Sequence, residues 1–151
     1  MTQIKTDDRR LVRIMYVGMA LTAALMLAPI IDIATADTIS GHVRGAYPQW
    51  PDHKIHEDRD AIVAWLALVG VLGLGVWYWA IRSVRRHSKR MRLVVTSAFT
   101  MGLIAVLINL SVGGDGYKQV VPLTYGLLSL VPAAVGLLAV VRAWRRPALA
   151  A

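Results

Sequence analysis

Hydrophobic positions along this chain of 151 residues gather into four long blocks, at about residues 14–31, 61–81, 93–112 and 120–141. None of the blocks contains Asp, Glu, Lys, Arg or His. A helix needs about 20 apolar residues to cross roughly 30 Å of hydrocarbon, so each block predicts one membrane-spanning helix. The expected fold is therefore an all-α integral membrane protein, a single domain over residues 1–151, with its four transmembrane helices in an antiparallel up-and-down bundle.

The polar segments between the blocks differ in sign. Thirteen of the 17 Lys and Arg lie within residues 5–13, 82–92 and 142–146, whereas seven of the nine acids lie within 32–60 or at Asp115. Basic loops stay on the cytoplasmic side of a membrane. Both termini and the basic loop 82–92 are thus assigned to the cytoplasm, and the long loop 32–60 to the outer face. Short loops and an Arg-rich inner side suit a plasma or inner membrane of bacterial type. The first block ends near Ala34 and Ala36 in the manner of a secretory signal, but its length exceeds the 7–15 residues of a usual signal core. It reads as a span.

Composition sharpens this picture. Apolar residues make up 56% of the chain and mean hydropathy is +0.53, which leaves no polar remainder large enough for a second, soluble core. The chain has no cysteine, so disulfides, thiolate metal sites and thiol nucleophiles are excluded. A net charge of +8 would suggest nucleic acid in a soluble protein, but here the basic runs are short and lie against the inner leaflet. No nucleic-acid partner is expected.

Within the blocks, small residues recur at helical spacing. Ala20, Ala24 and Ala28 form one stripe, Ala98, Gly102, Ala105 and Asn109 a second, and Gly126, Ser129, Ala133 and Gly136 a third. Small residues let helices in lipid approach closely. The second and third stripes are expected to pack on each other across the short 113–119 connection, with Asn109 finding its partner near Thr124 or Tyr125. Pro132 predicts a kink in the fourth span. Trp77, Tyr78 and Trp79 precede the basic loop as an inner-interface belt, and Tyr47 and Trp50 suit the outer interface.

The outer loop is the only segment with varied side-chain chemistry. Pro51 followed by Asp52 predicts that the second spanning helix starts there, within the loop. His53, His56, Glu57 and Asp60 would then share one helix face, and with His42 they form a candidate site for a divalent metal such as zinc. The alternative reading is a solvated helix start whose acids suit the helix dipole. Arg82, Arg85, Arg86, Lys89, Arg90 and Arg92 are candidates for binding anionic lipid of the inner leaflet. No ionisable group stands mid-span, which argues against a proton-coupled carrier, and no pair of intramembrane histidines is present for a haem.

Three functions follow as expectations. The first is a non-enzymatic membrane protein acting through helix contacts, as an accessory or regulatory subunit or a self-associating bundle, with a homo-oligomer or another membrane protein as partner. The second is an oligomeric channel or carrier for an ion or small solute, with Thr96, Thr100 and Asn109 along its path. The third is an outer-face metal sensor or enzyme built on the 42–60 cluster.

Overall fold

The computed structural model describes residues 2–86, 88, 90–114 and 116–145, with side chains from Asp8 onward. Among these residues all regular secondary structure is helical: α1 Thr2–Ala34, α2 Thr38–Ala46, α3 Asp52–Arg85, α4 Met91–Ser111, α5 Leu123–Leu128 and α6 Leu130–Trp144. Four stretches are long and apolar enough to cross a membrane: 8–34, α3, α4 and the α5–α6 pair.

The apolar blocks locate these helices but not their ends. α1 begins in the basic N-terminal segment and runs 33 residues, past Pro29, to Ala34. α3 has 34 residues, or about 51 Å at 1.5 Å per residue, so it overshoots a hydrocarbon layer of roughly 30 Å. It starts where Pro51 and Asp52 predict, with Pro51 as N-cap at φ −68°. It ends with Arg82 and Arg85 in the last turn, where cations oppose the negative end of the helix dipole.

The fourth span departs from expectation. Residues 120–122 are not helical, and the helix is interrupted at Ser129, three residues before Pro132, dividing it into α5 and α6. Proline has no N–H to offer the Leu128 carbonyl and its ring crowds that carbonyl, so the distortion appears one turn upstream of the proline itself. Ser129 Oγ donates to the Gly126 carbonyl at 2.5 Å and occupies part of the loosened turn.

An additional helix, α2, occupies the segment expected to be a loop. The turn into it is tight: Asp37 adopts a left-handed conformation (φ 46°, ψ 45°), the one non-glycine residue at positive φ among those described. Asp32 binds the two helices together. Its carboxylate accepts from Thr38 Oγ1 at 2.8 Å and from the Ile39 N–H at 3.3 Å, while its backbone carbonyl accepts from the Asp37 N–H at 2.7 Å.

α1 packs against α3 and α6, and α4 against α3 and α6. α1 and α3 interlock through glycines: Gly18 lies under the Trp77 ring, Gly70 under Met26 and Gly73 under Thr22. Two buried clusters seal the ends of the assembly. Leu11, Met15, Ala80, Ile81, Val84, Val95, Ala139 and Ala143 close the end next to the basic 82–92 segment. Ile39, Val43, Ile55, Ile62 and Val63 join α2 to α3 at the other end, the cap. Large apolar side chains such as Val17, Leu68, Val71, Met101, Leu107 and Leu137 point outward, the reverse of a water-soluble fold.

Candidate functional site

Between the two sealed ends the helices stand apart around a cavity of about 350 Å³. That is within the roughly 300–1,000 Å³ range of ligand pockets. Its wall draws on α1, α3, α4, α5 and α6, and contains no Asp, Glu, Lys, Arg or His. Leu72 of α3 and Met101 and Ile108 of α4 belong to the wall and are also exposed outward, so the cavity opens sideways between these two helices.

The small residues explain the space. Ala98, Gly102 and Ala105 of α4 line it, as do Ser129, Ala133 and Gly136 on the opposite side. Where tight α4–α6 packing was expected, a Cβ added at Gly102 would meet nothing within 4 Å. At the glycines of the facing stripe, contact comes from larger α4 side chains, with Gly136 under Phe99 and Gly126 under Leu110. The Ala20–Ala28 stripe is not used inside the chain in the same way: Ala20 and Ala24 are exposed and Ala28 is half-buried.

Polar atoms in the wall are few and mostly spent. Trp77, expected in an interface belt, turns inward, and its Nε1–H donates to Thr22 Oγ1 at 3.0 Å. Thr22 in turn donates to the Gly18 carbonyl at 2.9 Å. Near the cap, Trp65 Nε1–H donates to Asn109 Oδ1 at 3.0 Å, and Asn109 is only 5% exposed. The expected partners Thr124 and Tyr125 are not the ones Asn109 uses. Trp65 could have been found from the sequence: an indole N–H within an apolar span must find an acceptor, and Asn109 is the only amide in any of the four blocks. Thr96 and Thr100, the candidate channel path, instead donate to the carbonyls of their own helix at Arg92 (2.8 Å) and Thr96 (3.0 Å).

The cap is built from aromatic rings. His42 stacks on Tyr117 with centroids 5.2 Å apart, Tyr47 meets Tyr117 edge-on at 5.1 Å, and Tyr47 stacks flat on Trp50 at 3.9 Å. The Tyr47 hydroxyl accepts from the Gly116 N–H at 3.0 Å, and the Tyr117 hydroxyl donates to Asp58. Burial, reinforced by the Asp58 carboxylate, pushes the Tyr117 phenol well above its usual range, so it remains a donor at every physiological pH.

Arg59 bridges Asp37 at 3.3 Å and Asp60 at 2.8 Å. Burial alone would raise the Asp37 carboxyl, but Ser40 and the Arg59 guanidinium outweigh it and hold it below the ordinary carboxylate value. A depressed folded value means that the stabilisation is complete above the unfolded value of about 4 and disappears as the pH falls through the folded one. Amide protection in α2 is therefore expected to fall below about pH 4, and to do so less in Asp37→Asn. Parallel hydrogen-exchange profiles for the two proteins between pH 5 and 3 would refute this role.

The candidate metal ligands do not converge. His42 is held in the cap with Nε2 at 3.0 Å from the Gln119 carbonyl, whereas His53, His56, Glu57 and Asp60 are exposed on the first turns of α3 and Asp60 is paired with Arg59. Among the described residues no group of three or more His, Asp or Glu side chains is placed to hold a metal ion. Sharing a face of α3 was not sufficient, because α2 turns His42 toward the 113–122 connection instead. Of the candidate lipid-binding residues, Arg82, Arg85, Arg86 and Arg90 are exposed, Arg92 lies over the Trp144 ring at 5.6 Å, and Lys89 falls outside the described residues. No protein-family model, curated protein or solved structure matches this chain.

Proposed function

We propose that this chain is a non-enzymatic integral membrane protein that works by holding an apolar partner at the depth of the hydrocarbon. In this reading the four spans form an antiparallel bundle in a plasma or bacterial inner membrane. Both termini and the 82–92 segment are cytoplasmic, where the basic residues meet anionic lipid, and the cap is outside. The observation that carries it is the sideways-opening cavity, whose wall contains no Asp, Glu, Lys, Arg or His and only three hydroxyl side chains, Thr22, Tyr125 and Ser129. What such a wall offers is shape and dispersion contacts.

A second surface favours assembly with another membrane helix or a second copy. Ala20 and Ala24 leave a smooth exposed strip on α1 that nothing among the described residues covers. One experiment separates the two surfaces, using 1-bromododecane as a quencher of tryptophan, since Trp65 and Trp77 line the cavity. The native chain in detergent is expected to show saturable quenching. Gly102→Leu, which projects into open space, is expected to abolish it while preserving the fold. Ala24→Leu is expected to leave quenching intact and change only the assembled mass. Quenching that never saturates, or that survives Gly102→Leu, would defeat the cavity reading, and an unchanged mass would defeat the assembly surface.

A further inference from the structure

Asn109 spends only half of its hydrogen-bonding capacity. The Trp65 indole can only donate, so the amide must turn its oxygen toward it, and this fixes the N–H₂ group on the other side. That group has no partner among the described residues. Nor is it sealed from a visitor, because this unpartnered nitrogen is not one of the fully enclosed unpartnered side-chain atoms among the described residues. Two amide donors, on a side chain 95% buried, are thus held in the wall of an otherwise apolar cavity. Unsatisfied donors in such surroundings are costly, and an acceptor supplied by a bound molecule removes the cost.

The cavity runs along α4 from Asn109 to Val95, about 21 Å of helix axis, with the apolar wall below the single amide. Asn109 is two residues from the last residue of α4, and α4, at 21 residues or about 31 Å, matches the hydrocarbon thickness. In the proposed orientation the amide therefore lies just inside the outer boundary of the hydrocarbon, at the depth where lipid ester carbonyls begin.

We infer that the cavity is a binding site for a neutral carbonyl-headed chain molecule, with its carbonyl oxygen accepting from the Asn109 N–H₂ and its chain lying between α3 and α4 toward Val95. The inference rests on the cavity reading above and adds the chemistry and direction of the ligand. Trp65 is a positioning residue, because its N–H holds the amide the right way round. The shared chemistry has two sources, the ester of an outer-leaflet lipid and a free carbonyl lipophile such as a quinone.

The test is native mass spectrometry of the full chain in a carbonyl-free detergent, offered the net-neutral ester-linked dilauroyl phosphatidylcholine or its ether-linked didodecyl counterpart. The ester form is expected to be retained roughly three- to tenfold better, the equivalent of one hydrogen bond. Asn109→Leu should erase that preference while still retaining lipid, and Trp65→Phe, a milder change that leaves the cavity wall apolar, should weaken it. Displacement of the ester lipid by decyl-benzoquinone would assign the site to a free lipophile, and resistance to displacement would assign it to a bilayer lipid. Equal retention of ester and ether forms by the native chain would overturn the inference and leave the cavity reading standing. Retention of neither, together with unsaturable quenching by 1-bromododecane, would remove both.

Discussion

Gly18→Leu is expected to destabilise the folded chain by about 3 kcal/mol, the upper part of the range for overpacked interiors. A Cβ at this position would stand 2.5 Å from Cη2 of the Trp77 ring, well inside contact distance. The ring has nowhere to go. Its Nε1–H is committed to Thr22 at 3.0 Å, and Thr22 itself lies against Gly73 of the helix that carries the ring. Moving the indole would break that bond in surroundings without water, and moving the helix would open the seam that Gly70 and Met26 also share. Thermal unfolding in detergent measures the effect. Ala20→Leu, two residues along α1 and exposed, provides the comparison and should change stability by no more than about 0.5 kcal/mol. Equal melting of the two variants would show that the α1–α3 seam is not what holds the chain together.

The second large effect is expected at the cap. Tyr117→Ala removes the ring against which His42 and Tyr47 both rest, a ring that also packs against the buried cluster of Ile39, Val43, Ile55, Ile62 and Val63. Truncating a large aromatic in a core costs about 3–5 kcal/mol, and the loss should appear locally, as faster hydrogen exchange over 38–46. Tyr117→Phe keeps the ring and removes only the donor to Asp58. It should cost about 1–3 kcal/mol, the value of leaving a partly enclosed carboxylate short of a hydrogen bond. Unchanged protection of α2 in the alanine variant would mean that α2 is held by α3 alone.

These two sites also mark how far the sequence could be read. The four apolar blocks, the start of α3 at Pro51–Asp52 and the inward setting of Asn109 follow from length, proline chemistry and helical spacing. Each depends on neighbours within a turn or two. What the sequence hides depends on which distant segments meet. The stretch 38–46 contains Gly41 and Gly45 and has little intrinsic helix preference, and α2 forms because Ile39 and Val43 find Ile55 and Ile62 to bury against. Asn109 was legible as an inward amide, and the need of an indole N–H for an acceptor narrows its partner to a tryptophan of the second block, but the choice among Trp65, Trp77 and Trp79 depends on how a helix 44 positions away is set against α4. Small residues were ambiguous for a related reason: Gly70 lets a neighbour in, while Gly102 leaves a gap, and the two sequences look alike.

Asp58 and Trp65 are both on α3, seven residues apart, which places them two turns from each other on one side of the helix, about 10 Å along its axis. Asp58 accepts the hydroxyl hydrogen of Tyr117, and Trp65 donates to Asn109, so both bonds run to the last turns of α4 and the connection that follows it. Two anchors along a common line prevent a rod from rolling about its own axis. α3 is therefore torsionally locked near the cap, and because Ile81 and Val84 share a buried cluster with Val95 of α4 at the end that carries the arginines, any widening of the gap between α3 and α4 takes the form of a bow in the middle, at the level of the cavity.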